Sequence, residues 1–247
     1  LLTRAGNLVV SRNAQNGLIT GATLGSVNDA WSYNAFGEVV DYRTSYNASE
    51  NFSAQFTRDN LGRITGKTET LDGATHLYNY GYDATGRLIS VKKDSAIISA
   101  YSYDSNGNRL SHNTVTGTYD AQDRLITYGN NSYTHTANGE LLTRTDTSTS
   151  ETTTFTYDVL GNLVSVTLPD GRQVEYVIDG RNRRIGKKVN GTLVQGFLYQ
   201  DYLKPIVELD GSNGVVSRFV YAGGVNVPAY MIKNGATYRF IKDHLGS

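Results

Sequence analysis

Tyr82-Asp83-Ala84-Thr85-Gly86-Arg87-Leu88 is the stretch whose reading decides the fold, because it returns along the chain in recognisable copies. Close copies stand at Tyr103-Asp104 with Gly107, at Tyr119-Asp120 with Asp123 in the glycine place, and at Tyr157-Asp158 with Gly161 and Leu163. Worn copies stand at Tyr33 with Gly37 and Val39, Asp59 with Gly62 and Ile64, His135 with Gly139 and Leu141, and Ile178-Asp179 with Asn182. The fifth position therefore falls at 37, 62, 86, 107, 123, 139, 161 and 182, a repeat of 16 to 25 residues. A period this short means an array of small supersecondary units, none of which can bury a core by itself.

The phrase also has a mechanical reading. Asp opening a type I turn, followed by Gly in the left-handed position, makes a three-residue hairpin loop with a bulge. That loop sets Asp83 across from Arg87 and, one step further out, Tyr82 across from Leu88. The same offset joins Asp59 with Arg63, Asp120 with Arg124 and Asp179 with Arg183, pairs expected to be exposed and to contribute about 0–1 kcal/mol each. Asp123 and Asn182, which replace the tip glycine, are expected to make tips that are looser or differently packed. Towards each tip aromatic or apolar residues recur two apart, as in Tyr78, Tyr80, Tyr82 and in Val174, Tyr176, Ile178, which is the period of strands. Asn-Gly at Asn16, Asn106, Asn138, Asn190, Asn213 and Asn234 and Asp-Gly at Asp72, Asp170, Asp179 and Asp210 read as turns at the opposite ends of the units. The Thr-rich stretch from Thr143 to Thr156 reads as the most loop-like insertion.

Composition narrows the function classes. Lys plus Arg equals Asp plus Glu at 23 each, so no net field favours nucleic acid or an anionic membrane. The absence of cysteine excludes disulfides, thiol catalysis and thiolate metal sites. No run of 18 apolar residues and no signal peptide is present. Tyr at 18 outnumbers Phe at 7, so many rings must keep a hydroxyl near water or a partner, which suits a sheet wetted on at least one face.

Strings with the look of chemistry are better explained as turns. Gly62-Arg63-Ile64-Thr65-Gly66-Lys67-Thr68 has one residue too few for a phosphate loop and leads into another turn instead of a helix. Asp104-Ser105-Asn106-Gly107-Asn108 opens like a calcium loop but carries its Gly at the fourth place and lacks the closing Glu. His76, His112, His135 and His244 have no ligand spacing, and the carboxylates are spread one to a tip instead of being paired for acid-base work. These readings imply a non-enzyme without cofactor or metal.

These phrases resemble the tyrosine-aspartate repeats of bacterial rearrangement-hotspot (RHS) proteins, shared with insecticidal toxin-complex subunits and, more distantly, with animal teneurins. The stretches Leu198 to Ile206, Val216 to Tyr221 and Asp243-His244-Leu245-Gly246-Ser247 resemble the part of that family that precedes its core-associated module. The resemblance implies an all-β fold: an array of consecutive β-hairpins forming a long, curled antiparallel sheet, a segment of a spiralling β shell. It also implies that the shell encloses a C-terminal toxin domain and that the protein is exported or displayed at a bacterial surface. Residues 1–196 are read as the repeat array and 197–247 as further hairpins leading toward the core-associated module, in a fragment cut inside the array. The partners expected are the rest of the shell and the toxin domain, with edge-to-edge self-association at open strand edges and neither nucleic acid nor membrane insertion. The alternative is a cell-surface carbohydrate- or protein-binding repeat module, with Trp31 as its stacking surface.

Overall fold

A computed structural model describes residues 1–223 and 226–245. The described residues hold strands and turns and no α-helix, so the fold is all-β; no helix is long and apolar enough to cross a membrane. The chain forms two units. The first comprises Leu1–Ser102 with the described residues of 220–224 and 239–247, and the second Tyr103–Phe219 with those of 225–238.

Ten strands follow one another in the first unit. They are β1 (Arg4–Ala5), β2 (Leu8–Arg12), β3 (Ile19–Leu24), β4 (Val27–Tyr33) and β5 (Val39–Tyr46), then β6 (Ser49–Arg58), β7 (Ile64–Leu71), β8 (Ala74–Tyr82), β9 (Leu88–Lys93) and β10 (Ala96–Tyr103). Each pairs antiparallel with the next. Because side chains alternate across a strand, register decides what shares a face. Val10, Ala22, Asp29, Thr44 and Phe52 stand opposite one another in a row across five strands. Trp31, Tyr42, Ala54, Glu69 and His76 form a second row. Buried Leu8, Val10, Ala22, Leu24, Tyr42, Ala54 and Phe56 make the core of this unit.

The second unit repeats the plan. Its strands begin with β11 (Arg109–His112), β12 (Val115–Tyr119), β13 (Leu125–Tyr128), β14 (Asn131–His135), β15 (Leu141–Asp146) and β16 (Glu151–Tyr157). They continue with β17 (Leu163–Thr167), β18 (Gln173–Ile178), β19 (Arg184–Val189), β20 (Thr192–Tyr199), β21 (Pro205–Asp210), β22 (Val215–Val220), β23 (Tyr230–Lys233) and β24 (Ala236–Arg239). Successive strands from β11 to β22 pair antiparallel.

Two expectations need correction here. The Thr-rich stretch is not a loop: it forms most of the β15–β16 hairpin, in which Thr145 and Thr152 face each other with hydroxyls 2.8 Å apart. Thr is polar yet β-branched, and the second property governs when a neighbouring Thr satisfies the hydroxyl. The Asn-Gly and Asp-Gly dipeptides also do not all mark the opposite ends. Asn106-Gly107, Asn138-Gly139 and Asp179-Gly180 lie inside the repeat tips, and Asn213 closes a tip-like turn on Asp210. Two-residue turns with both residues at positive φ occur at Asp72-Gly73 and Asn190-Gly191, but also at Asn47-Ala48 and Asp94-Ser95, which carry no glycine.

Candidate functional site

The repeat phrase folds into one recurring device at the hairpin tips. In the Asp83 tip the Gly86 amide donates to the Asp83 carbonyl at 3.0 Å and the Asp83 amide donates to the Arg87 carbonyl at 2.9 Å, with Gly86 at φ +88°. This is the bonding of a type I turn with a bulge. Gly107 and Gly161 take φ +94° and +80° in equivalent tips, and Tyr82 and Tyr157 face Leu88 and Leu163 across the strands.

The acidic residue does more than its pairing suggests. Asp83 Oδ1 accepts the amides of Thr85 and Arg87, while Oδ2 accepts Arg87 Nε at 2.7 Å. Asp59, Asp120 and Asp179 repeat the pattern. In Asp104 and Asp158 an Asn side chain, Asn108 or Asn162, takes the Arg part. The pairs are partly covered where exposed ones were expected, and their carboxylates also cap backbone amides inside the turn. Backbone amides and the Arg87 guanidinium hold the Asp83 carboxyl well below the ordinary range; the guanidiniums of Arg124 and Arg183 lead the same effect at Asp120 and Asp179, whose pKa values fall to about 2.

Neighbouring tips are stapled together. Tyr82 donates its hydroxyl to the Ile64 carbonyl at 2.8 Å, and Tyr33, Tyr119 and Tyr199 donate likewise to Ile19, Arg109 and Arg184. In every case the acceptor lies two residues beyond the left-handed residue of the preceding tip: Gly62, Gly17, Gly107 and Asn182. Arg58 occupies the Tyr place before Asp59, and its Nη1 reaches the equivalent carbonyl, Val39, at 2.7 Å. The sequence reading missed Arg58 and Tyr199; the position directly before the tip was the available signal for Arg58. The tip Arg also serves two tips at once, since Arg63 lies 4.7 Å from the Tyr82 ring and Arg183 5.2 Å from the Tyr199 ring.

Asp123 and Asn182 do not loosen their tips but pack them differently. They take φ +60° and +58° and keep both turn bonds, because Asp and Asn tolerate the left-handed region. Their side chains are also used by the preceding tip: Asn106 and Asn108 donate to Asp123 Oδ1 at 2.9 and 2.7 Å, and Asn162 donates to Asn182 Oδ1 at 3.3 Å.

The remaining candidates are spread along the array. Trp31 is half-buried and stacks on Tyr42 directly across the strand pair, at 5.0 Å and 16°. Gly62 to Thr68 runs from a tip into β7, where Lys67 is buried, bonds Glu69 at 2.6 Å and lies 4.3 Å from the Tyr78 ring. His76, His112 and His135 stand on β8, β11 and β14 respectively.

The whole chain, residues 1–247, matches the family model described as "Teneurin YD-shell". The chain belongs to that YD-shell family. Among curated proteins it is 31% identical to mouse (Mus musculus) teneurin-1 over 87% of its length, and 27% identical to the tRNA3(Ser)-specific nuclease WapA of Bacillus spizizenii over 74%. It spans 8% and 6% of those proteins respectively. Among solved structures it resembles the crystal structure of TcdB2-TccC3-Cdc42 with 14% identity and a TM-score of 0.47, covering 92% of this chain and 14% of that one. The stapled hairpins described above are thus a segment of a YD shell.

Proposed function

We propose that this segment is non-catalytic wall, and that in the whole protein the shell encloses a C-terminal toxin domain of an exported bacterial polymorphic toxin. The observation that carries the reading is the stapling of tip to tip in a chain that matches the YD-shell model along its full length. The tip carboxylates support it from the chemical side, since each is committed to amides and guanidiniums within its own turn, which leaves them poor bases. The zero net charge and the many Ser, Thr and Asn side chains suit a wall that does not grip its cargo. WapA bears the name of a tRNA nuclease, which fits a protein that joins such a wall to a separate toxic activity. On this reading residues 197–247 lead from the repeat array toward a core-associated module, and the partners are the rest of the shell and its cargo.

Limited proteolysis of the full-length protein tests it. The C-terminal domain should resist protease while the shell is folded and become cleavable once mild denaturant opens the wall. Equal cleavage of that domain in both states would refute enclosure, and saturable sugar binding lost in Trp31→Ala would favour a binding module.

A further inference from the structure

We propose that residues 239–245 form a pH-sensitive strap, a detachable segment that lies on the face built by Asp29, Tyr42, Phe56 and Tyr80 and lets go when His244 is protonated. The inference concerns regulation within the first unit and does not depend on cargo enclosure.

The segment beyond β24 is not in a strand. Side chains fasten it at both ends. At one end Arg239 Nη2 and Nε bond Asp29 Oδ2 at 2.6 and 2.9 Å, with side chains only 8% and 1% exposed. Asp29 Oδ1 also accepts the Tyr42 hydroxyl at 3.0 Å, so the buried carboxylate is satisfied from both sides. At the other end the His244 ring lies 5.4 Å from the Phe56 ring on β6 and 6.5 Å from the Tyr80 ring on β8.

These two fastenings differ in kind. The Arg239 end is a buried ion pair. The His244 end rests on an imidazole, a group that titrates in the physiological range. The charges that act on it are Arg58 on β6, Lys67 and Glu69 on β7, and Asp243 on its own segment. Two cations oppose two carboxylates, and Lys67 is already bonded to Glu69 at 2.6 Å, which leaves loss of water as the deciding effect. Burial, and next the Lys67 charge, push the His244 imidazolium toward losing its proton. Docking therefore favours the neutral ring. It is complete above the ordinary imidazole pKa of about 6.5 and weakens as pH falls through the lower docked value. Release would uncover Phe56, Tyr80 and the Lys67–Glu69 pair in mildly acidic surroundings.

Hydrogen exchange read by mass spectrometry on the full chain tests the strap. Protection of peptides covering 239–245, corrected for the intrinsic pH dependence of exchange, should fall several-fold between about pH 7.5 and about pH 5.5 while β2 and β5 keep theirs. His244→Phe, which keeps an aromatic ring without a proton to gain, should abolish that change. Asp29→Asn should loosen the segment at both pH values. An unchanged parent profile, or the same pH dependence in His244→Phe, would overturn the proposal, as would an NMR titration placing the His244 pKa at or above about 6.5.

Discussion

Asp83 closes its turn through two backbone amides, the Thr85 hydroxyl and one guanidinium, and this division of labour can be tested one atom at a time. Asp83→Asn keeps an acceptor for the amides and gives up the charge, whereas Asp83→Ala gives up both. Urea midpoints should therefore fall in the order parent, Asn, Ala, and an Ala variant as stable as Asn would show that the amide bonds do not matter. Tyr82→Phe removes only the bond to the Ile64 carbonyl and should cost about 1 kcal/mol. Tyr82→Ala also removes a half-buried ring and should cost about 2–4 kcal/mol. Acid titration examines the same carboxylates together. The folded values of about 2 at Asp120 and Asp179 lie below the unfolded value of about 3.9, so their contribution is complete above about pH 5 and is lost as pH falls through about 2. The thermal midpoint should drop over that window, and more shallowly in Asp120→Asn with Asp179→Asn than in the parent.

Hairpins are the level at which the chain was most legible. The Tyr-Asp spacing located the tips, and the alternating aromatic residues located their strands, because turn chemistry and period two are local signals. Misreading arose where one dipeptide serves two geometries: Asn106-Gly107 closes a bulged tip and Asn190-Gly191 a two-residue turn, and only the Asp two residues before Asn106 separates them. The role of Arg58 was hidden for a different reason. A Tyr hydroxyl and a guanidinium share little chemistry, yet both donate at similar reach to the same kind of carbonyl. At the left-handed positions, Gly86→Ala should cost about 1–2 kcal/mol because a Cβ is penalised at φ +88°. Asn182→Gly should change stability by less than about 0.5 kcal/mol, since the gain in backbone ease is offset by a weak bond lost from Asn162. Denaturant midpoints decide both, and a costlier Asn182→Gly would mean that the side-chain bond between tips outweighs the turn preference.

At the scale of the molecule, what the sequence could not disclose is what joins residues far apart. The Arg239–Asp29 pair spans 210 positions and has no local signature, and the seat of His244 against Phe56 and Tyr80 is equally silent in the chain. The family match assigns the segment to a YD shell, and the stapled tips give that assignment a mechanism: within each unit a hairpin supplies an edge for the next, and at five tips the one before it supplies a carbonyl for the Tyr or Arg. Whether such a wall encloses cargo, as proposed, can be seen by electron cryomicroscopy of the full-length protein. These hairpins should stand in the wall of a closed shell, with density for a separate domain inside it. A map with this segment in an open sheet, solvated on both faces and surrounding nothing, would contradict it.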